Sequence, residues 1–276
     1  MQKNKIIYPT FKDAQQLYTS YSTIENGSVL YDTLSKLIDN SYLSSLDSNN
    51  IHEIYNKILL KYYPNEICIK SNFINKILIH GKKHVTIFEL PIGSSRADLC
   101  KINGTSIAYE IKTDLDNFSR LYKQIQDYFE IFDQVYVICS YNNIINITNI
   151  LPEQCGIYSY TLTQRGSYKF DLIRKSETST SLNKEKQLNL FRKSEFKCFK
   201  QNFTHKQNRA ETISDISHCY STEEVNEIFK SVLKNRYRGS WCFLKQHYND
   251  IYEIDYQWFF KNQIDPIKIY KKSALS

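Results

Sequence analysis

Along the first eighty residues the apolar positions fall at helical intervals. Residues 10–48 read as helices separated by polar turns. Thr10 stands where it can cap a first helix with Asp13 in its first turn, and Leu30, Leu34, Leu37, Ile38 and Leu43 suggest the apolar face of a second. Asn49-Asn50 precedes another helix, with Ile51, Ile54, Ile58 and Leu59 at helical spacing. Pro64 restarts the chain in the first-turn position where proline is favoured, and Ile67, Phe73, Ile74, Ile77 and Leu78 suggest one face of the helix that follows.

The pattern changes at Val85. Val85 to Leu90 is rich in β-branched and apolar residues and predicts a strand. Pro91 to Ser95 reads as a turn, Arg96 to Ile102 as a second strand, Asn103-Gly104 as a hairpin turn and Thr105 to Lys112 as a third strand. Thr113 or Asp114 then caps a helix whose face carries Leu115, Phe118, Leu121, Ile125, Phe129 and Phe132. The continuous apolar run Val135 to Cys139 fits a buried strand of a mixed sheet. Further strands are expected around Ile157 to Leu162 and Tyr168 to Ile173. The expected class is therefore α/β, with a core ordered helix, three strands, helix, strand. Four regions follow: a helical N-terminal extension at 1–63, the core at 64–173, a polar linker or exposed loop at 174–187, and a mostly helical region at 188–276. In that last region Ser221-Thr222-Glu223-Glu224, ahead of Val225, Ile228, Phe229 and Leu233, is a helix start, and the tail is rich in Tyr and Phe.

Composition changes this picture little. The 276 residues are 41% hydrophobic and 24% charged, ordinary for a globular chain long enough for one sizeable core. Seven Gly and five Pro argue against a linker-rich or disordered chain. The seven cysteines form no Cys-x-x-Cys pair and no zinc-ligand spacing, which fits reduced thiols and a cytoplasmic location. No membrane-length apolar run and no signal-type h-region are present. The net charge of +7 is compatible with a polyanionic partner and equally with a Lys-rich surface.

The chemistry concentrates between Arg96 and Tyr136. Residues two apart on a strand share a face, so Glu110 and Lys112 point the same way and Asp98 of the preceding strand can lie beside Glu110. Two converging carboxylates repel unless a divalent cation sits between them, and such oxygen ligands suit Mg²⁺ or Mn²⁺. The Ile111 carbonyl is a further candidate ligand. Lys112 can orient a metal-bound water or stabilise developing negative charge. Gln124 and Tyr128, four apart on the next helix, suit a phosphate or a bound water. Taken singly, Glu-x-Lys is usually a solvated ladder and the Gln–Tyr pair a polar helix edge. The flanking Tyr109 and Ile111 suggest a covered strand, where charges need a reason. Arg96 shares the face of Asp98 and can hold a phosphate or pair with a carboxylate. Arg120 continues the stripe of Gln124 and can meet a phosphate backbone or stand as a surface arginine. From Glu185 to Ala210 lysines and arginines alternate with Phe191, Phe196, Phe199 and Phe203. That pattern suits a nucleic-acid groove, and slightly better an amphipathic helix with Phe inward.

Asp98, Glu110-x-Lys112 and Gln124-x-x-x-Tyr128, in this order of elements, resemble the PD-(D/E)XK nuclease superfamily, including the Gln-x-x-x-Tyr feature of its RecB-type members. More closely, Glu89, Gly93, Ala97-Asp98-Leu99, Asn103-Gly104, Tyr109 to Thr113, Leu115-Asp116, Arg120-Leu121, Gln124 and Tyr128 resemble an uncharacterised bacterial branch known only by a locus-tag name. Asn65 to Lys70 resembles that branch's upstream helix. The likeness covers residues 60–145, and Ala97 stands where the superfamily name implies Pro. The resemblance implies a restriction-endonuclease-like core and a Mg²⁺- or Mn²⁺-dependent endo- or exonuclease, with DNA the preferred substrate and roles in defence or repair. It implies Asp98, Glu110 and Lys112 as metal-binding and catalytic residues, with a further acidic ligand at Glu66 or Glu89. The alternatives are a catalytically silent nucleic-acid-binding module and a protein-interaction component, with a partner protein or second copy held through the C-terminal region.

Overall fold

The computed structural model describes residues 5–164, 166–199 and 208–271. In chain order its helices are α1 (Phe11–Ser20), α2 (Gly27–Leu37), α3 (Asn40–Leu43), α4 (Ile51–Tyr62) and α5 (Glu66–Phe73), the last continued by a π-helical turn over Ile74–Leu78. Strands β1 (Val85–Ile92), β2 (Ser95–Asn103) and β3 (Thr105–Lys112) precede α6 (Leu121–Phe129) and β4 (Gln134–Ser140). Then come α7 (Ile144–Ile150), β5 (Gly156–Leu162), β6 (Tyr168–Arg174), α8 (Lys184–Leu188), α9 (Arg209–Cys219), α10 (Thr222–His247), α11 (Tyr256–Asn262) and α12 (Pro266–Tyr270). The fold is mixed α/β: a six-stranded mixed sheet with helical N- and C-terminal regions. The chain divides into two compact units, Met1–Ile79 with Thr161–Lys169 and Cys242–Ser276, and His80–Tyr160 with Phe170–Trp241.

In the first unit α1 to α5 all start from side-chain caps, which satisfy amide groups that a helix start leaves unpaired. Thr10 and Asp13 form a reciprocal capping box, and Asn26, Asp39, Asn50 and Asn65 each accept an amide of the following turn. Asn65, not Pro64, caps α5, so Pro64 lies outside the first turn in which it was expected. The π-helical turn adds a residue to the repeat and rotates the face. Phe73, Ile74 and Leu78 are buried, while Ile77, expected on the same face, is exposed.

The same unit buries a polar cluster. The hydroxyls of Thr23, Tyr270 and Tyr21 donate to Asp255 at 2.7, 2.8 and 2.9 Å, and the Tyr21 hydroxyl also meets His52 Nδ1 at 2.8 Å. Asp255 and His52 have no exposed surface. Burial raises the Asp255 carboxyl to about 6 against the three hydroxyl donors, and burial lowers His52 to about 4.

The second unit holds the functional region. Strand order is sequential; β1 to β3 pair antiparallel, and β3, β4 and β5 pair parallel. β1 runs on through Pro91 and Ile92, which the expected turn included, and the chain reverses at Gly93 and Ser94. One face of the sheet carries the aromatic row Tyr109, Tyr136 and Tyr158, with centroids 5.7 and 5.3 Å apart. The Tyr136 ring lies over Gly156, 2.3 Å from where a Cβ would stand.

α6 starts at Leu121 with Arg120 in the cap position, six or seven residues beyond the expected cap at Thr113 or Asp114, so Leu115 is exposed in a loop rather than on the helix face. The segment after β6 has no helix or strand until α8, yet Ser176 and Ser179 are buried. Ser176 Oγ accepts from Val135 N at 3.1 Å, and the Ser179 amide donates to the Asp133 carbonyl at 2.7 Å. Phe191, Phe196 and Phe199 are buried against one another over a short 3-10 turn (Lys193–Cys198), in place of the expected amphipathic helix. Lys200, Phe203 and Lys206 lie outside the described residues. Among the described residues no helix is long and apolar enough to cross a membrane.

Candidate active site

The hairpin β2–β3 and helix α6 of the second unit bring most of the expected polar groups together. The Cα register pairs Leu99 with Tyr109, which sets Asp98 beside Glu110 and Ile111. Asp98 is 7% exposed, Glu110 2% and Lys112 9%. Buried charges require partners, and each has them. Asp98 Oδ2 accepts the Ile111 amide at 2.6 Å. Glu110 Oε1 accepts Lys112 Nζ at 2.7 Å and Gln124 Nε2 at 2.8 Å, and Glu110 Oε2 accepts the Tyr128 hydroxyl at 2.7 Å. The same hydroxyl lies 2.8 Å from the Arg96 carbonyl, so its one proton serves two acceptors and ties α6 to β2 as well as β3.

Electrostatics follow from this arrangement. Burial lowers the Lys112 pKa, but the charge and hydrogen bond of Glu110, with Asp98 and Asp116 behind it, outweigh burial and leave it raised. Lys112 is therefore an ammonium at neutral pH and acts by charge and donation. Burial, then the Glu110 charge, push the Tyr128 phenol well up, so it stays a donor. Burial, then the charges of Asp98, Glu89 and Glu110, push the Cys100 thiol well above its ordinary value, so it is no nucleophile.

The two acidic candidates belong to different units. Glu66 sits in the first turn of α5 in the first unit and pairs with Lys70 at 2.7 Å. Glu89 sits on β1 in the second unit, with its backbone at φ +54°. A carboxylate oxygen of Glu89 lies within 4.8 Å of one of Asp98. Two hard oxygen donors at this spacing fit a divalent cation such as Mg²⁺ or Mn²⁺. Arg96 Nε pairs with Glu89 at 2.5 Å and leaves most of its side chain in solvent. Arg120 is exposed at the start of α6 and supplies no side-chain cap.

Residues 61–256 match the family model described as Bacteriophage P4 protein cII. The chain belongs to that family. It is 26% identical over 151 residues to Protein cII of Enterobacteria phage P4, a match that covers 53% of this chain and 56% of that relative's length. Among solved structures it is similar to the SPO1766 protein of unknown function from Silicibacter pomeroyi, with a TM-score of 0.33, 16% identity, and coverage of 44% of this chain and 76% of that one. The family match takes in the whole of the site just described.

The sequence did not single out what braces this site. Thr113, directly after Lys112, gives its amide and hydroxyl to Asp116 at 2.7 Å each. Asp114 accepts Asn143 Nδ2 at 2.7 Å and the Ser140 hydroxyl. Ser95 donates to Asp127 of α6 at 2.9 Å. The Thr-x-x-Asp spacing at Thr113 was the available signal; it reads as a helix start and serves as a loop clamp.

Proposed function

We propose that this member of the P4 cII family is a metal-dependent nuclease of the PD-(D/E)XK type, acting on DNA. The observation that supports it most is the convergence on Glu110 of Lys112, Gln124 and Tyr128, with Asp98 bonded to the intervening Ile111 amide. A merely solvated Glu-x-Lys ladder would not be buried, nor would a helix bring a Gln and a Tyr onto the same carboxylate.

In this reading Asp98 and Glu89 would hold Mg²⁺ or Mn²⁺ with Glu110 as a further ligand, and the Ile111 carbonyl would be the backbone candidate. The cation, when bound, supplies Lewis acidity and an acidified water. Lys112 presents its ammonium where negative charge grows on the phosphate. Gln124 and Tyr128 fix the Glu110 carboxylate, and Arg96, free to leave Glu89, meets a phosphate oxygen. Arg120 extends the cationic track along α6.

The test is cleavage of linear, circular and single-stranded DNA, and of RNA, with Mg²⁺ or Mn²⁺ added to the full chain. Lys112→Ala and Asp98→Asn proteins run alongside, with folding checked by circular dichroism. Metal-dependent cleavage that falls by about 10²–10³ in both folded variants is expected. No cleavage of any substrate, or cleavage unchanged in both variants, refutes the reading and favours a nucleic-acid-binding or partner-protein role.

A further inference from the structure

The edge of the second unit at which Lys112 ends β3 carries an unusual surface. Gln124 and Tyr128 both bond Glu110, and β4 opens level with Ile107, so α6 runs back along the sheet and its first turn lies at the Lys112 edge. β4 ends at the same edge, where Ser140 and Asn143 bond Asp114. Around this clamp Leu115, Tyr122, Tyr141 and Ile145 are 51, 54, 63 and 75% exposed. Four of the six large apolar or aromatic side chains exposed among the described residues of the second unit are thus gathered at one edge. Scattered exposed apolar residues need no explanation; a cluster beside a polar site does.

We infer that this edge binds an unpaired stretch of DNA, its bases against Tyr141, Ile145 and Leu115 and its phosphates along Arg120 and Lys123. This deepens the nuclease reading and rests on it. The chemistry is specific to single strands. In a duplex the base faces are stacked on each other, and only an unpaired base offers its flat face to an aromatic or branched apolar side chain. Cations on the first turn of α6 complement a phosphate backbone. The carboxylates at this edge, Asp114 and Asp116, are engaged as acceptors within the loop, and their charge keeps phosphates on the α6 side. The mutual bonds of the loops around Asp114 hold Leu115 and Tyr141 in place before any ligand arrives, which limits the entropy lost on binding.

The test is fluorescence anisotropy with short fluorescein-labelled oligo(dT), and with a duplex of equal length, titrated with full-length protein in EDTA so that neither is cut. A Tyr141→Ala/Ile145→Ala protein is compared; both positions are exposed, so the fold is kept. Expected is tighter binding of oligo(dT) than of duplex, and about tenfold weaker oligo(dT) binding by the variant with duplex binding unchanged. Unchanged oligo(dT) affinity, or equal losses on both probes, overturns the proposal. A variant that alters only the sedimentation of the free protein also overturns it and assigns the edge to a second copy. Lys112-dependent cleavage is read separately. Cleavage of duplex alone, indifferent to Tyr141, sinks this inference and spares the nuclease, whereas oligo(dT) binding without any cleavage does the reverse.

Discussion

Tyr128 donates its hydroxyl to Glu110 Oε2 across 2.7 Å, and both side chains are buried. Tyr128→Phe removes one donor from a buried carboxylate. A hydrogen bond to a charged group contributes about 1.5–3 kcal/mol. Urea unfolding of Tyr128→Phe should therefore show a loss of that size. Tyr122→Phe, an exposed phenol on the same helix, should sit within about 0.5 kcal/mol of the parent.

Gly156 is a position that the Tyr136 ring dictates. A Cβ there would stand 2.3 Å from the ring and 2.8 Å from the Ser176 amide nitrogen. The ring can turn only by leaving its row with Tyr109 and Tyr158, and the amide nitrogen is backbone. Gly156→Ala should cost about 1–3 kcal/mol, the range of overpacked cores. Tyr136→Leu in the same chain should return part of it; equal stability of Gly156→Ala and parent in thermal melts would contradict this.

The buried cluster of Asp255 and His52 makes the stability of the first unit depend on pH in two opposed ways. Burial raises Asp255 from 3.8 to about 6, so its contribution is complete below 3.8 and lost as pH rises through about 6. That loss is about 3 kcal/mol. Burial lowers His52 from 6.5 to about 4, so its contribution is complete above 6.5 and lost as pH falls through about 4. Asp255→Asn removes only the first effect. Its stability relative to the parent should rise between pH 4 and pH 7, as read by urea unfolding at both; a flat difference would show that Asp255 does not titrate in that window.

Thiol accessibility offers a check on the core. Cys68, Cys100, Cys139 and Cys155 are buried with thiols pushed up by burial, while Cys198, Cys219 and Cys242 are exposed. A disulfide-exchange reagent at pH 8 should titrate three thiols quickly in the native protein and all seven in denaturant. Fast reaction of a fourth would mean that the sheet opens readily.

Much of this fold was legible because strands and caps leave local signals. The Asn103-Gly104 turn, the β-branched run from Val85 and the continuous apolar run of β4 each predicted their element within a residue or two. Strand and helix periods made Glu110 and Lys112 legible as sharing one face and Gln124 and Tyr128 as sharing another; that the four belong to one group was legible only through the family resemblance. The misses share a cause: the same local chemistry serves two ends. Thr113 and Asp116 bond as a helix cap would, yet Asn117, Phe118 and Ser119 do not continue the helix. The π-helical turn that exposes Ile77 and the positive φ of Glu89 carry no signal that a window of sequence displays. Burial of Ser176 and Ser179 is equally silent, since a serine reads as polar wherever it lies.

The path of the chain has a consequence for anyone who would dissect it. The backbone passes from one unit to the other after Ile79, Tyr160, Lys169 and Trp241, the last time within α10. Neither unit is a single stretch of sequence. A break after Tyr160 or Lys169 divides both units at once, whereas one after Ile79 or Trp241 divides only the first. Trimming both ends to residues 80–241 keeps the whole second unit, with Asp98, Glu110 and Lys112, and brings along only residues 161–169 of the first; no trimming isolates the first unit, whose three stretches are spread over the chain.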